Sequence, residues 1–276
     1  MFNKIYEFKA GNDGILTTEI NNTNLYTAGE DDYIRIWDLN SYQKLKEVEA
    51  HSKDISSIKL SPDKNSLFSA SNDGFIKQWD IDLNLIYEYE SHKSHVNMID
   101  FLNEKEFISA SDDSTMRIYK IRSNGYKEIK SNAGDINAIK ITDDYIFAGG
   151  SKLIIYNKKF REIKTNDNYI YGINLIKEFE DKIYISTSME KYLEVWDKKS
   201  LNLEKRLKLK SWINDMTFKN DKIFIANANI ISVFDKDLNL IEENENHSDE
   251  VYSLQFYDNK LITASNDSFV RIWKVN

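Results

Sequence analysis

Hydrophobic and polar residues alternate with a period of two over short segments, and residues that favour turns separate these segments. The stretch from Leu67 to Ile81, LFSASNDGFIKQWDI, shows the pattern most clearly. It predicts two strands joined by a tight turn at residues 72–74. Asp-Gly between alternating apolar residues supplies the backbone freedom that a hairpin turn needs. The pattern therefore predicts a β-hairpin.

The same hairpin recurs along the chain at a nearly constant interval. Aligned on the aromatic residue near the end of the second strand, the copies are 42, 40, 37, 40, 38 and 39 residues apart. An interval of this size, with no helical periodicity inside it, indicates a repeated all-β unit. The seven aromatic residues are Trp37, Trp79, Tyr119, Tyr156, Trp196, Phe234 and Trp273.

Each unit contains four strand signals. In the second unit they span 54–60, 67–71, 75–81 and 85–91, and the breaks between them consist of turn-forming residues. A single four-stranded sheet cannot bury both of its faces, but seven sheets arranged radially can. We therefore predict an all-β fold, namely a seven-bladed β-propeller of four-stranded antiparallel blades.

The two ends of the sequence predict how the ring closes. The last unit stops shortly after Trp273, which ends its third strand signal, and residues 4–10 match the fourth strands of other units. We expect segment 4–10 to pair with the last blade, residues 247–276, so that residues 1–276 form one propeller domain. Closure of this kind leaves only short, protected strand edges.

Composition narrows the functions that this fold could serve. The net charge is −8, and an acidic chain binds polyanions poorly because phosphate neutralisation needs clustered Lys and Arg. We therefore expect no nucleic-acid partner. The chain has no cysteine, so disulfides and thiolate metal sites are excluded. No apolar run is long enough to span a bilayer, and the first residues do not resemble a signal peptide, so we expect a cytoplasmic protein.

The repeated hairpins resemble those of the WD-repeat β-propeller family over essentially the whole chain. The dipeptide after which the family is named occurs at Trp37-Asp38, Trp79-Asp80 and Trp196-Asp197. The resemblance implies a hydrogen-bonded tetrad in each complete repeat. Its members are a His before the first strand, a Ser or Thr on the second, an Asp in the following turn and a Trp on the third. The resemblance also implies a non-catalytic scaffold for protein–protein interaction.

Four repeats supply all or most of the tetrad, in which each buried polar group finds a partner. The third repeat has Tyr119 in place of Trp, and the first has Gly11 where His is expected. The fourth to sixth repeats lack the set, so we expect those blades to rely on packing alone. The sets are Thr27, Asp31 and Trp37; His51, Ser69, Asp73 and Trp79; His92, Ser109, Asp113 and Tyr119; and His247, Thr263, Asp267 and Trp273.

The candidate catalytic and metal-binding residues fit structural roles better. Three of the four histidines occupy tetrad positions, and the fourth, His95, lies alone before a first strand. There is no nucleophile motif, no phosphate-binding Gly-rich loop and no set of three ligands at metal spacing. We expect no metal, no cofactor and no enzyme activity. The alternative is a propeller enzyme or accessory factor with a ligand site in the central channel.

The positions that flank the first apolar residue of each inner strand form the candidate binding surface. In the family that the chain resembles, these positions surround the mouth of the central channel, where partners commonly bind. Exposed aromatic rings beside polar groups are the combination that interface hot spots use. We predict a peptide or protein partner, with basic residues, that is bound by Trp212, Tyr169, Tyr171, Tyr252, Asp54, His95, Asp135, Glu250, Glu30 and Asp112.

Two other interpretations of this surface are open. The aromatic rings could pack on one another at the channel mouth and bind nothing. Recognition of nucleic acid or of a phosphopeptide would need a ring of Arg side chains, and the aligned positions contain none. We expect a monomeric propeller that works within a larger complex.

Overall fold

Four-stranded antiparallel sheets repeat around a central channel in the computed structural model, which describes residues 2–90, 92–245 and 247–275. The described residues form 28 strands in seven sheets. The predicted domain limits Met1 and Asn276 lie outside the described residues, as does Ser91, the predicted end of a strand.

The strands are four to eight residues long. In chain order they are β1 (Phe2–Lys9), β2 (Ile15–Asn21), β3 (Asn24–Gly29), β4 (Tyr33–Asp38), β5 (Lys44–Glu49), β6 (Ile55–Leu60), β7 (Ser66–Ser71), β8 (Ile76–Asp80), β9 (Leu85–Tyr89), β10 (Val96–Asn103), β11 (Glu106–Ser111), β12 (Thr115–Lys120), β13 (Tyr126–Lys130), β14 (Ala138–Ile141), β15 (Tyr145–Gly149), β16 (Leu153–Asn157), β17 (Glu162–Asn166), β18 (Ile173–Phe179), β19 (Lys182–Thr187), β20 (Tyr192–Asp197), β21 (Leu203–Lys208), β22 (Ile213–Lys219), β23 (Lys222–Asn227), β24 (Ile230–Asp235), β25 (Leu240–Glu245), β26 (Val251–Tyr257), β27 (Lys260–Ser265) and β28 (Phe269–Val275).

Each of the first six blades consists of four consecutive strands. They are β2–β5, β6–β9, β10–β13, β14–β17, β18–β21 and β22–β25, which we number blades 1 to 6. Blade 7 combines β26, β27 and β28 with β1, which runs antiparallel to β28 from Phe2 opposite Val275 to Lys9 opposite Phe269. The predictions of a seven-bladed propeller and of closure by the N-terminal strand are confirmed.

The hydrophobic core lies between neighbouring blades. Within the described residues, one cluster of buried apolar side chains occupies each of the seven interfaces between blades. At the first interface, Ile34 and Ile36 of blade 1 pack with Leu67 and Trp79 of blade 2. Each fully buried Ile or Leu side chain stabilises such a cluster by about 1.5–3 kcal/mol. Because each blade packs against a neighbouring blade on both sides, its inner strands carry apolar residues on both faces.

A β-bulge recurs at the second residue of the innermost strand. In blade 2, Ile55 lies opposite Ser71 and Ser57 lies opposite Ala70, so Ser56 is the extra residue. The same shift in register occurs in blades 1, 3, 5, 6 and 7. A bulge redirects the extra side chain, and here that side chain lines the central channel.

Candidate functional site

Two kinds of connection meet at one end of the channel, which we call the mouth face. A turn between a second and a third strand lies against the loop that leads into the innermost strand. In blade 2, for example, the backbone N–H of Asn72 donates to the carbonyl of Asp54 at 2.9 Å. The loops are residues 10–14, 50–54, 92–95, 131–136, 167–172, 209–212 and 247–250, and the turns are residues 29–33, 72–75, 112–114, 150–152, 188–191, 227–229 and 266–268.

A hydrogen-bonded chain joins these loops and turns in blade 2. The Trp79 indole donates to the Ser69 hydroxyl at 2.9 Å, and His51 Nε2 lies 2.7 Å from the same hydroxyl. His51 Nδ1 is 3.0 Å from the Asp73 carboxylate, which also accepts from the backbone N–H of Phe75 at 2.9 Å. A neutral imidazole that donates from Nδ1 and accepts at Nε2 satisfies every member of this chain.

Blade 7 repeats the arrangement with Thr in place of Ser. His247 Nε2 lies 2.7 Å from the Thr263 hydroxyl, and His247 Nδ1 lies 3.0 Å from the carboxylate of Asp267. The indole of Trp273 donates to Thr263 at 3.0 Å. Asp267 also forms an ion pair with Arg271 at 2.6 Å. These bonds tie the turn to the preceding loop.

The carboxylates of these chains stay ionised to low pH. Burial alone would raise the pKa of Asp73 and Asp267, but the hydrogen bonds that each accepts from a His and from other donors together outweigh burial and hold both pKa values well below the usual range. In blade 3, hydrogen bonds from Thr115, from a backbone N–H and from His92 together outweigh burial in the same way and lower the pKa of Asp113 to about 2.

Blades 1 and 3 vary the arrangement. In blade 1, which has no His at this position, the Arg35 guanidinium lies 2.7 Å from the Asp31 carboxylate, and Trp37 donates to Thr27 at 3.1 Å. In blade 3, His92 lies 2.6 Å from Ser109 and 2.9 Å from Asp113, whereas the Tyr119 hydroxyl donates to the carbonyl of Glu90 at 3.1 Å.

Blade 5 contains a different polar network, which corrects the expectation that it relies on packing alone. The buried carboxylate of Glu194 accepts hydrogen bonds from the Trp196 indole and from the Tyr169 hydroxyl, both at 2.8 Å. Arg206, on the neighbouring strand, forms an ion pair with the same carboxylate. Tyr169 precedes Trp196 by 27 residues, as His92 precedes Tyr119. Tyr169 therefore occupies the position of the tetrad His.

Tyr169 is only 4% exposed and belongs to the core between blades 4 and 5. The expectation that its ring is exposed at the channel mouth is wrong. Burial and the neighbouring Glu194 carboxylate raise its pKa. The innermost strand of blade 5 begins at Ile173, whereas the sequence alignment began it three residues earlier, at Ile170.

The other two irregular blades differ from each other. In blade 4, the hydroxyl groups of Ser131 and Tyr156 lie 3.2 Å apart and are buried, so packing alone does not describe this blade either. In blade 6, the apolar side chains of Leu209 and Phe234 pack in one hydrophobic cluster.

The six bulge positions and Asn137 of blade 4, which directly precedes β14, form a belt of mostly polar side chains around the channel. Several of them donate to the next blade. Asn97 donates to the carbonyl of Ile136 at 3.0 Å, and Asn174 donates in the same way to the carbonyl of Ile213. Sequence reasoning missed Asn174 because it placed Tyr171 at this point. The belt consists of Leu16, Ser56, Asn97, Asn137, Asn174, Asn214 and Tyr252.

Acidic side chains dominate the mouth face. Its loops and turns contain 14 Asp and Glu residues against 5 Lys and no Arg, so they contribute −9 to a chain whose net charge is −8. Burial and the charges of Asp13 and Asp54 raise the pKa of Glu30. Burial and the hydrogen bond with Glu250 raise the pKa of Tyr252. In both groups, the negative charge nearby adds to the effect of burial.

Exposed apolar side chains lie on the same face, in blades 5 and 6. Tyr171 is 58% exposed and Trp212 is 37% exposed. The turn of residues 188–191 lies between them, because Glu190 accepts from the backbone N–H of Tyr171 and Lys191 Nζ lies 6.0 Å from the Trp212 ring centroid. Sequence reasoning missed two exposed neighbours, Ile170 and Met189. The indole of Trp212 donates to Glu250 at 3.3 Å.

The remaining predicted residues also lie on the mouth face. His95 Nδ1 lies 3.3 Å from Asp112, and Asp54 accepts from the Asn72 amide at 3.2 Å. Asp135 is exposed, whereas Glu30 and Asp112 are half-buried. The structure therefore places nine of the ten predicted residues at least partly exposed on one face, and the exception is Tyr169.

A family model described as "WD domain, G-beta repeat" matches residues 42–80, 83–120 and 238–274. These segments include the third strands of blades 2, 3 and 7, the blades in which His, Ser or Thr, and Asp lie within hydrogen-bonding distance. These three segments are WD40 repeats, and they lie in a seven-bladed propeller. WD40 propellers are typically scaffolds for protein interactions.

Parts of longer proteins are similar to parts of this chain. Kinesin-like protein KIF21A from Homo sapiens is 32% identical over 126 residues, which cover 45% of the chain and 7% of that protein. Myosin heavy chain kinase C from Dictyostelium discoideum is 29% identical over 118 residues, or 42% of the chain and 15% of that protein. Pre-mRNA-processing factor 17 from Homo sapiens is 34% identical over 103 residues, which cover 36% of the chain and 18% of that protein. The chain thus spans less than a fifth of each relative.

Inside the channel of the propeller, charged side chains pair with one another. Lys59 lies 3.6 Å from Glu19, and Lys177 lies 2.8 Å from Asp215. They surround a cavity of about 180 Å³. Among the described residues, no group of three or more His, Cys, Asp or Glu side chains is arranged to hold a metal ion. In the part of the chain that the structure describes, no helix has the length and apolar character needed to cross a membrane.

Proposed function

We propose that residues 1–276 act as one non-catalytic interaction module, which binds a basic peptide segment of a partner protein on the mouth face. The observation that carries this proposal is the charge of −9 on the loops and turns of that face. The rest of the chain contributes only +1 by difference from the total of −8. Concentrated charge of one sign steers a partner of opposite charge and repels polyanions such as nucleic acids.

Exposed aromatic side chains would anchor the bound segment. Trp212 and Tyr171 are exposed beside Ile170 and Met189, and large rings contribute most when a partner covers them. The Trp212 indole lies next to the Glu250 carboxylate, so one bound residue could bury an apolar side chain on the ring while its neighbour places a cation on the acid. Tyr252, Glu30, Asp54, Asp112, His95 and Asp135 extend the proposed surface around the channel.

The channel supports a structural role better than a catalytic one. The ionisable side chains that could act on a ligand there, Lys59 and Lys177 among them, are held in ion pairs with Glu19 and Asp215. A lysine that pairs with a carboxylate stays protonated and is a poor nucleophile or base. We therefore propose binding without catalysis.

Binding of the fluorescein-labelled peptide KRLFRK, measured by fluorescence anisotropy, tests this proposal. We expect saturable binding to the propeller and little binding of QQLFQQ, which keeps the apolar pair but lacks the cations. The Trp212→Ala variant should bind KRLFRK at least about tenfold more weakly, a loss of about 1.4 kcal/mol. The double variant Glu30→Gln, Asp54→Asn should also bind at least about tenfold more weakly.

Matched variants control for net charge. Asp82 and Asp237 are exposed and lie in turns away from the mouth face. The double variant Asp82→Asn, Asp237→Asn changes the net charge by the same amount as the double variant at Glu30 and Asp54. This control should bind KRLFRK as the wild-type protein does. Equal losses in the two double variants, or unchanged binding by Trp212→Ala, would contradict the proposed surface.

A further inference from the structure

The turn between the third and fourth strands of blade 3 differs from the corresponding turns of blades 1, 2, 4, 5 and 6. In those five turns, a short polar side chain at the start accepts hydrogen bonds from backbone N–H groups that follow. Asp80 accepts from Asp82 and Asn84, and Asn157 accepts from Lys159 and Arg161. Blade 3 has Lys120 at this point. The substitution removes the acceptor and places a cation there.

The blade 3 turn also differs in its residues with positive φ. In blades 2, 4 and 5, such a residue packs its apolar side chain into the core, and these residues are Leu83, Phe160 and Leu201. Blade 3 has Arg122 with φ of 57°, which is exposed, and Gly125 with φ of 79°. A Cβ at Gly125 would meet no atom within 4 Å, so the space beside Gly125 is open.

An open groove of about 790 Å³ lies between this turn and the turn of residues 157–161 in blade 4. Its volume falls within the range of roughly 300–1,000 Å³ that is usual for ligand sites. Leu102, Ile118 and Phe160 form an apolar floor that continues into the core between blades 3 and 4. The groove lies at the opposite ends of the blades from the mouth face, because third strands run from the mouth-face turns to these turns.

Four lysines line the groove, namely Lys120, Lys127, Lys158 and Lys159, and Arg122 and Arg161 are exposed in the same two turns. Within the described residues, none of the four lysines has a carboxylate at ion-pair distance. Lys127 instead lies over the Phe160 ring, 5.5 Å from its centroid. Glu106 is the one acidic residue among those that line the groove.

The groove between blades 5 and 6 provides a comparison. There, five carboxylates line the groove together with four lysines, and two of those lysines form ion pairs. Lys182 lies 3.0 Å from Glu204, and Lys205 lies 2.9 Å from Asp237. The groove between blades 3 and 4 holds the same kind of cation without the matching acids, so its electrostatic complement has to come from another molecule.

We propose that the groove between blades 3 and 4 binds a short, extended acidic segment of a partner protein. Carboxylates of that segment pair with Lys120, Lys127, Lys158 and Lys159, and one of its apolar side chains covers the floor beside Phe160. Nucleic acid fits less well. Base stacking needs free aromatic faces, but Lys127 lies over Phe160 and Arg117 lies 3.9 Å from the centroid of Tyr126.

This second site would allow the propeller to hold two partners of opposite charge on opposite faces. It does not depend on the site proposed at the mouth face. The two can be tested separately, because the Trp212→Ala variant addresses only the mouth face.

The test is the binding of two fluorescein-labelled peptides, EDLFDE and its uncharged counterpart QNLFNQ, to the full chain. EDLFDE should bind in a saturable and salt-sensitive manner, and QNLFNQ should bind at least about tenfold more weakly. The double variant Lys158→Gln, Lys159→Gln should lose at least about tenfold in affinity for EDLFDE. Its thermal midpoint should match that of the wild-type protein, since both side chains are exposed.

Blade 5 supplies a matched control, because Lys198 and Lys199 follow Asp197 as Lys158 and Lys159 follow Asn157. Lys198→Gln with Lys199→Gln changes the net charge equally and should leave EDLFDE binding unchanged, as should Trp212→Ala. The proposal would be overturned if the two double lysine variants lost equal affinity for EDLFDE, or if Lys158→Gln with Lys159→Gln left that affinity unchanged. It would also be overturned if QNLFNQ bound as tightly as EDLFDE. Displacement of EDLFDE by a short oligothymidylate at equal concentration would overturn it too, because it would indicate a phosphate-binding surface.

Discussion

The side chain of Glu194 shows how one residue can replace a set of others in the propeller. In blades 2 and 7, a Ser or Thr hydroxyl accepts from the indole, and a His links that hydroxyl to an Asp carboxylate. In blade 5, the single carboxylate of Glu194 accepts from both Tyr169 and Trp196 and pairs with Arg206. Removing any donor leaves a buried acceptor less satisfied, and burial makes that costly.

We expect Tyr169→Phe to lower the free energy of unfolding by about 1–3 kcal/mol, because it removes a 2.8 Å hydrogen bond to the buried carboxylate of Glu194. Tyr171→Phe is the matched control. Tyr171 lies two residues from Tyr169, and its side chain is 58% exposed. Loss of its hydroxyl should change the free energy of unfolding by less than about 0.5 kcal/mol. Urea denaturation of both variants checks this, and equal effects would contradict the role assigned to Tyr169.

The free energy of unfolding should decrease in acid because of the histidines and aspartates of the tetrads. Burial lowers the pKa of His92 and His247 below that of an unfolded His. The unfolded chain therefore binds more protons below about pH 6.5, and stability decreases as the pH falls through that range. Asp113, with a pKa of about 2 in the folded protein, adds a second loss as the pH falls from about 4 toward 2.

Urea denaturation at a series of pH values measures this effect. The midpoint should decrease between about pH 7 and pH 5 and decrease again below about pH 4. A midpoint that rises or stays constant as the solution is acidified would contradict the assignment of neutral, buried histidines.

At the scale of strands, β1 is the element whose contribution is easiest to isolate. It supplies the outer strand of blade 7 although it lies at the other end of the sequence from the rest of that blade. Its aromatic residues also contact two interfaces. The ring centroid of Phe2 lies 6.4 Å from that of Trp273, and that of Phe8 lies 4.5 Å from that of Trp37.

We expect deletion of residues 1–9 to lower the thermal midpoint sharply, because it exposes the edge of β28 and removes both aromatic contacts. The control is a circular permutant that begins at residue 10 and carries residues 2–9 after residue 275. Phe2 lies opposite Val275, so a short turn can join them. The permutant should therefore have most of the stability that the deleted chain loses. A deleted chain with an unchanged midpoint would contradict closure by β1.

Element boundaries were predictable where the turn residues and the hydrophobic pattern allowed only one register. Asp73-Gly74 marks the turn of a hairpin, and Trp79-Asp80 marks the end of its second strand. The structure has strands on either side of that turn. In blade 5, Ile170 and Ile173 are equally apolar, and only the pairing of Ile173 with Thr187 distinguishes them. The separation of 27 residues between Tyr169 and Trp196, which matches that from His92 to Tyr119, is the signal that could have corrected the alignment.

At the scale of the whole molecule, the two ends of the blades differ in charge. The mouth face contributes −9, and the groove between blades 3 and 4 presents lysines without matching acids. The acidic positions on the mouth face were predictable because the repeat places them in register. The groove was not, because it depends on the contact between two turns 37 residues apart and on which of their lysines find carboxylates in the folded chain.

Hydrogen–deuterium exchange of the full chain, with and without saturating KRLFRK, locates the bound peptide directly. We predict slower exchange at residues 29–33, 209–214 and 247–252, which form the acidic and aromatic part of the mouth face. We predict no change at residues 120–127 and 157–161, which form the groove on the opposite side. Slower exchange confined to the groove segments, or no slower exchange at the mouth face, would contradict binding of basic peptides at the mouth face.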